Sequence, residues 1–172
     1  TIRTIGIGKN VNSIIEVLKN EKSQSLDVGL AEFIEYGGNK TQRYFLNVSD
    51  VGIGGETTYR VNKNSKALKG FLSFLVGALT AMISYTNKDF EITIDNITIK
   101  DRLNSIIVAN GKYFGGGMKI APMAEMNDGY FDIIIIGNIS KFDFLINFPK
   151  IYKGDHMSHP KLMHYKGKEI RV

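Results

Sequence analysis

Residues 91–100 read EITIDNITIK, and the fold follows from how this stretch turns back on itself. Ile92 and Ile94 alternate with polar residues, Asp95-Asn96 interrupts, and Ile97 and Ile99 resume the alternation. A two-residue loop pairs 94 with 97 and 92 with 99, which sets all four isoleucines on one face of a β-hairpin. Downstream, strands are expected at 105–110, 118–122, 130–137, 162–166 and 168–172, short apolar runs bounded by glycine, proline or asparagine. Upstream, 26–36 and 43–51 partly alternate and end in glycine-rich turns, as strands do.

Helices are few. Val11, Ile14, Ile15 and Leu18 follow the spacing of a helix with one buried stripe, capped by Asn10 or Asn12. Phe71, Leu75, Ala78, Met82 and Tyr85 step by four and three, the mark of a longer amphipathic helix expected to pack on a sheet. SKFDFLINF, residues 140–148, opens like a capped short helix, with Ser140 at the cap, Asp143 three residues on, and Pro149 to end it. Many short strands without regular β-α-β alternation predict a mainly β (α+β) fold, an antiparallel β-sandwich with a few flanking helices.

The 172 residues are the length of one domain, and 43% hydrophobic content can fill a core of that size. With no cysteine, disulfides and thiolate chemistry are excluded, and a reducing compartment, the cytoplasm, is the simplest setting. The longest apolar run, FLSFLVGALTAMIS, falls short of the roughly 20 residues of a bilayer span. Residues 1–149 hold 16 Lys and Arg against 15 Asp and Glu, whereas 150–172 hold 6 against 2, so most of the +5 charge lies at the C-terminal end. Such a strip is first a solvated face, and otherwise one that could meet an anionic membrane surface, phosphates or nucleic acid. The N-terminus, TIRTIGIGKN, has neither an initiator Met nor a signal-peptide pattern, and reads as a cut inside a longer chain.

The most chemically suggestive stretch is 113–136, YFGGGMKIAPMAEMNDGYFDIIII. GKYFGGGMK lacks the Walker spacing, and GIGKN at Gly6 lacks the third glycine of a dinucleotide fingerprint, so neither stands alone as a phosphate loop. Asp128, in an Asn-Asp-Gly turn, is either an ordinary turn residue or an oxygen ligand for a hard cation such as Mg²⁺. Asp27, in LDVGL, is either a solvent-facing strand residue or part of a site. Asp50 and Glu56 flank VGIGG, where they belong either to a site or to a helix amino end. His156, His159 and His164, with Asp155, match no defensible zinc spacing.

Taken in order, RTIGI at Arg3, LDVG at Leu26, RYFLNVSDVGIGGETTYRVN from Arg43, VANGKYFGGGMKIAP from Val108 and MNDGYFDIIII from Met126 resemble the diacylglycerol kinase catalytic family, soluble lipid kinases similar in fold to NAD kinase. The resemblance spans nearly the whole chain, and its specific part is the VANG, GGGMKIAP, NDG series with the Asp that follows it, Asp132. It implies a C-terminal β-sandwich domain occupying 1–172. An N-terminal α/β domain whose Gly-Gly-Asp-Gly-Thr loop holds ATP would precede it, Thr1-Ile2-Arg3 matching the residues just after the family's Thr-Gly-Asn-Asp segment. A later Asp-Gly-Glu segment, whose Glu is the expected general base, would lie beyond the C-terminus. A piece lacking both is expected to be inactive alone.

The resemblance further implies Mg²⁺ held by the Asp128 side chain and the backbone carbonyls of Glu125 and Tyr130. Asp27 would join an acid and water network linking that metal to the ATP site, and the glycines would let strands pack closely at the interdomain cleft. Met123 stands where the family commonly has Asp after Ala-Pro, and Asn127 where it often has a first Asp. The implied partners are a lipid substrate at a membrane surface, the N-terminal domain and, permissively, a second copy, with no nucleic acid. The implied place is cytoplasmic and peripheral to the membrane. A NAD-kinase-like small-molecule kinase and a noncatalytic lipid-binding module are the alternatives.

Overall fold

The computed structural model describes residues 3–8, 10–20, 23–35, 37–64 and 71–172, with side chains described for all of these except 61–64 and 71–75. Thr1, Ile2 and Tyr36, and the side chains of Phe71 and Leu75, therefore lie outside the described residues. The chain runs α1 (Val11–Lys19), β1 (Gly29–Ile34), β2 (Lys40–Phe45), β3 (Val48–Gly52), α2 (Ile53–Asn64), α3 (Phe71–Ser84), β4 (Lys88–Ile94), β5 (Ile97–Leu103), β6 (Ser105–Ala109), β7 (Phe131–Ile136), α4 (Lys141–Asn147), two 3₁₀ turns, β8 (Leu162–Gly167) and β9 (Ile170–Arg171). Every pairing among these strands is antiparallel: β3-β6-β7-β8 form one sheet, β5-β4-β9 a second, and β1-β2 a separate hairpin.

The EITIDNITIK hairpin forms with the expected register, Ile94 opposite Ile97 and Ile92 opposite Ile99. Asp95 takes φ 49°, and its carboxylate accepts the Lys168 and Glu169 backbone N–H groups at 3.0 and 2.9 Å, which draws β9 onto β4. The four isoleucines are not equally buried. Ile92 and Ile94 are fully covered, while Ile97, beside the turn, is 52% exposed because the opposing sheet does not reach that far.

Ile92, Ile94 and Leu103 of one sheet interlock with Ile106, Ile133 and Ile135 of the other, which makes the sandwich interior. On the outer face of β6 and β7, Ile107, Ala109, Ile134 and Ile136 meet Met118, Ile120, Ala121, Ile139 and Ile151. β7 is thus buried on both faces, and its Ile133 to Ile136 run is continuous rather than alternating for that reason.

The remaining expectations split. Residues 43–51 divide into β2 and β3 of different sheets, because Asn47 leaves the strand direction and its carbonyl accepts the Asn110 and Gly111 N–H groups. Residues 118–122 do not form a strand; an isolated bridge joins Phe114 to Met118, and the chain then bends through turns. α1 is capped by the Asn10 side chain, but its apolar stripe is not buried, Val11 and Leu18 being 70% and 71% exposed. α2 was not expected, with its two glycines and two adjacent threonines. It forms where Ile53 packs on Ala81 and Met82, so α3 rests on α2 rather than directly on a sheet. α4 is capped by Ser140, whose Oγ accepts the Asp143 N–H at 3.1 Å.

Candidate functional site

Segments distant in sequence converge around one buried side chain. Asn110, fully buried at the end of β6, donates through Nδ2 to the carbonyls of Asp27 at 2.7 Å and Leu46 at 3.1 Å. Asp27 in turn donates its N–H to the Met126 carbonyl at 2.7 Å and accepts the Gly129 N–H on Oδ2 at 2.8 Å. Asn47 Nδ2 donates to the Tyr113 carbonyl at 2.7 Å, and Thr4 Oγ1 accepts the Lys112 N–H at 3.1 Å. The Oδ1 atoms of Asn47 and Asn110 are buried without a hydrogen-bond partner among the described residues. Buried acceptors of this kind call for a donor, a water or a cation.

The three glycines close a tight loop here. Gly115, Gly116 and Gly117 take φ of 39°, 75° and 103°, the left-handed region that side chains rarely enter. Phe114 and Met118 exchange backbone hydrogen bonds of 3.0 Å in each direction across the loop. Arg3 Nη1 donates to the Gly117 carbonyl at 3.2 Å, and its guanidinium lies 5.4 Å from the Tyr113 ring centre. A Cβ on Gly117 would sit 2.0 Å from Arg3 Nη1. The expectation that these glycines bring strands together is therefore replaced by a different one: they reverse the chain and seat Arg3.

Asp128 lies in a turn closed by its own Oδ1, which accepts the Tyr130 N–H at 3.0 Å. Its Oδ2 accepts from Lys166 Nζ at 2.7 Å. Burial pulls the Asp128 carboxyl upward, but the Lys166 hydrogen bond, the Tyr130 N–H and the ammonium's charge together outweigh it and hold its pKa below the ordinary value. Lys166 is raised first by its hydrogen bond to Asp128, against some desolvation, and then by the charges of Asp132, Asp128 and Glu125. An ammonium thus sits where carboxylates gather. The Asp128 carboxylate is an oxygen ligand of the kind a hard cation takes, and Lys166 already stands on it.

Asp27 and Asp128 are brought together, as one turn bound to one strand end. Glu125 is exposed, and its charge reaches Lys166. Tyr130 stacks under Lys168, 4.7 Å from ring centre to Nζ. Asp50 and Glu56 do not join the junction. Asp50 lies against the first turn of α2, where a Cβ on Gly54 would come within 2.1 Å of its Oδ2, and burial raises its pKa. Glu56 pairs with Arg60 at 2.7 Å.

The histidines separate to different partners: His156 to the Ile120 carbonyl at 3.1 Å, His159 to Asp143 at 3.1 Å and His164 to Asp132 at 2.7 Å. Among the described residues no three His, Cys, Asp or Glu side chains are grouped as a metal site. Asp132 is fully buried, its Oδ2 without a partner among the described residues, and neither its burial nor any role for Lys166 was expected from the sequence. Asp132 closes the motif series read from the sequence, but its surroundings come only from the register that sets it opposite Lys166, with His164 two residues along the same face.

Comparison with known proteins agrees with this architecture. The chain is 22% identical to the diacylglycerol kinase of Staphylococcus carnosus over 172 residues, 99% of this chain and 53% of that protein. It is 26% identical to the diacylglycerol kinase of Bacillus subtilis over 144 residues, 84% of this chain and 47% of that one. A crystal structure of a diacylglycerol kinase from Bacillus anthracis superposes with a TM-score of 0.60 at 19% identity, covering 98% of this chain and 49% of the other. A second from that organism, put forward as a diacylglycerol kinase, gives 0.64 at 23% identity, with 98% and 51% covered. The chain spans about half the length of these relatives. Residues 47–172 match the family described as the YegS C-terminal NAD kinase beta sandwich-like domain, and the chain belongs to that family.

Proposed function

We propose that this chain is the lipid-substrate domain of an ATP-dependent kinase that phosphorylates a hydroxyl of diacylglycerol or a related lipid. The observation that carries the reading is the junction at Asn110, where Asp27, Asn47, the glycine loop and the Asp128 turn are tied together by hydrogen bonds. The names of the relatives support the substrate class. Phosphoryl transfer asks a protein mainly to position reactants and neutralise charge, with a carboxylate to take the hydroxyl proton. A rigid polar junction serves the first demand. ATP, its phosphate loop and the general base would come from other parts of the protein.

Mg²⁺ would be held by the Asp128 carboxylate with the carbonyls of Glu125 and Tyr130, displacing Lys166, and would supply positive charge beside the acids. Asp27 would fix that turn through Gly129. The protein would work in the cytoplasm at the membrane surface.

The test is phosphorylation from ATP by the full gene product, offered diacylglycerol, phosphatidylglycerol, sphingosine and NAD. Lipid phosphorylation that falls at least about 100-fold in Asp128→Ala is the expected result. Phosphorylation of NAD alone would favour the second reading, a nucleotide kinase, for which the NAD-kinase likeness of the family speaks. No phosphorylation by the whole protein would leave a noncatalytic lipid-binding module.

A further inference from the structure

α4 carries apolar residues on two sides. Phe144 faces inward against the outer core, as do Phe148 and Ile151 of the 3₁₀ turn that follows. Phe142, Leu145 and Ile146 point outward, 74%, 46% and 54% exposed, at the i, i+3, i+4 spacing of one helix face, and exposed Pro149 follows in the 3₁₀ turn after the helix. The ridge continues to Ile83 at the end of α3, 65% exposed, whose carbonyl accepts from Lys141 Nζ.

Lysines flank this ridge. Lys141 begins α4, exposed Lys150 and Lys153 follow Pro149, and Lys161 binds the Asn138 carbonyl just before the helix at 2.8 Å. Asp143, the one acid on α4, is turned away: Oδ1 is engaged by His159 and Asn147. We infer that the α4 ridge docks on an anionic lipid bilayer, with Phe142, Leu145 and Ile146 entering the interface and Lys141, Lys150 and Lys153 meeting the headgroups.

The charge selects this occupant. A symmetric contact with a second copy would bring lysines against lysines, and lysine is depleted in protein interfaces. A helix of seven residues is about 10 Å long, too small alone for the roughly 800 Å² per partner of a stable protein interface. A few apolar side chains with a basic rim are what interfacial attachment uses. By contrast, α1 bares Val11 and Leu18 beside Glu16 and Lys19, whose charges cancel and select nothing.

The inference deepens the lipid-kinase reading by saying where the molecule meets its substrate's membrane, and the two are tested apart. The full gene product is floated with vesicles of phosphatidylcholine alone or with phosphatidylglycerol added, and assayed on vesicle-borne and on water-soluble short-chain diacylglycerol. Binding should need phosphatidylglycerol and weaken with salt. Phe142→Ser with Ile146→Ser should lower it about tenfold, and Lys150→Glu with Lys153→Glu similarly. The melting temperature should hold, and the soluble substrate should be phosphorylated as before. Undiminished vesicle binding by both double variants overturns the inference, as does a loss of self-association or of melting temperature in place of vesicle binding. Vesicle binding that depends on Phe142 without any lipid phosphorylation upholds the ridge and defeats the kinase reading.

Discussion

At the scale of single residues, several positions have one tolerable occupant. Gly52 closes β3 at φ 123°, and a Cβ there would lie 2.4 Å from the Asn104 carbonyl oxygen and 2.8 Å from the Ser105 Cα, both main chain and unable to retreat. Gly52→Ala should therefore cost at least about 2 kcal/mol in urea unfolding, and an unchanged midpoint would contradict this geometry. Asp128 and Lys166 make a different statement. Their contact is half exposed, so its loss should matter little to stability, about 0–1 kcal/mol. Lys166→Met should instead free the Asp128 carboxylate for Mg²⁺, each tenfold gain in affinity adding about 1.4 kcal/mol of stabilisation in excess metal. Equal Mg²⁺-dependent melting shifts in wild type and variant would sink the competition. Asp128 and Asp27 could be singled out because the Asn-Asp-Gly turn and LDVG are local signatures, although Asp27 lies just before β1 rather than in it. Lys166 was not, because its meeting with Asp128 depends on the register between β7 and β8, which no local pattern encodes.

At the scale of elements, β7 dominates. Ile134 and Ile135 face opposite cores and both are fully buried, so alanine at either should cost about 2–5 kcal/mol by denaturant unfolding, a range set by how far each cavity relaxes. A cost below about 1 kcal/mol at both sites would deny the two-sided burial. The 91–100 hairpin and α4 were legible because alternation, a two-residue turn and a serine cap are local. α2 was illegible for the converse reason: IGGETT has poor helix propensity, and tertiary packing of Ile53 on α3 overrides it. The strand expected at 118–122 gives way to turns behind the glycine loop, whose positive φ at three successive residues is a property of folded backbone. The second apolar face of α4 was present in SKFDFLINF, but its exposure depends on what packs behind it.

At the scale of the whole molecule, pH should report on the outer core. His156 is buried, its Nε2–H donating to the Ile120 carbonyl, and burial lowers its pKa below the ordinary 6.5. The unfolded chain takes up a proton near 6.5 and the folded one resists, so this contribution is complete above 6.5 and is lost as pH falls through the folded value. Stability should drop below pH 6.5 with a slope of up to about 1.4 kcal/mol per pH unit from this group. His156→Gln, able to keep the donor, should flatten that slope in melts across the range. An unchanged slope would assign the acid sensitivity elsewhere. The antiparallel sandwich and the family were both within reach of the sequence, the first through strand patterning and the second through the order of short motifs.

The burial of β7 on both faces carries one more implication. The strand is a party wall: the sandwich interior leans on Ile133 and Ile135, and the outer core, with α4 behind it, leans on Ile134 and Ile136. Neither room can be dismantled while the other stands, so the two must melt together, and sequence drift on one side of the wall is constrained by tenants on the other.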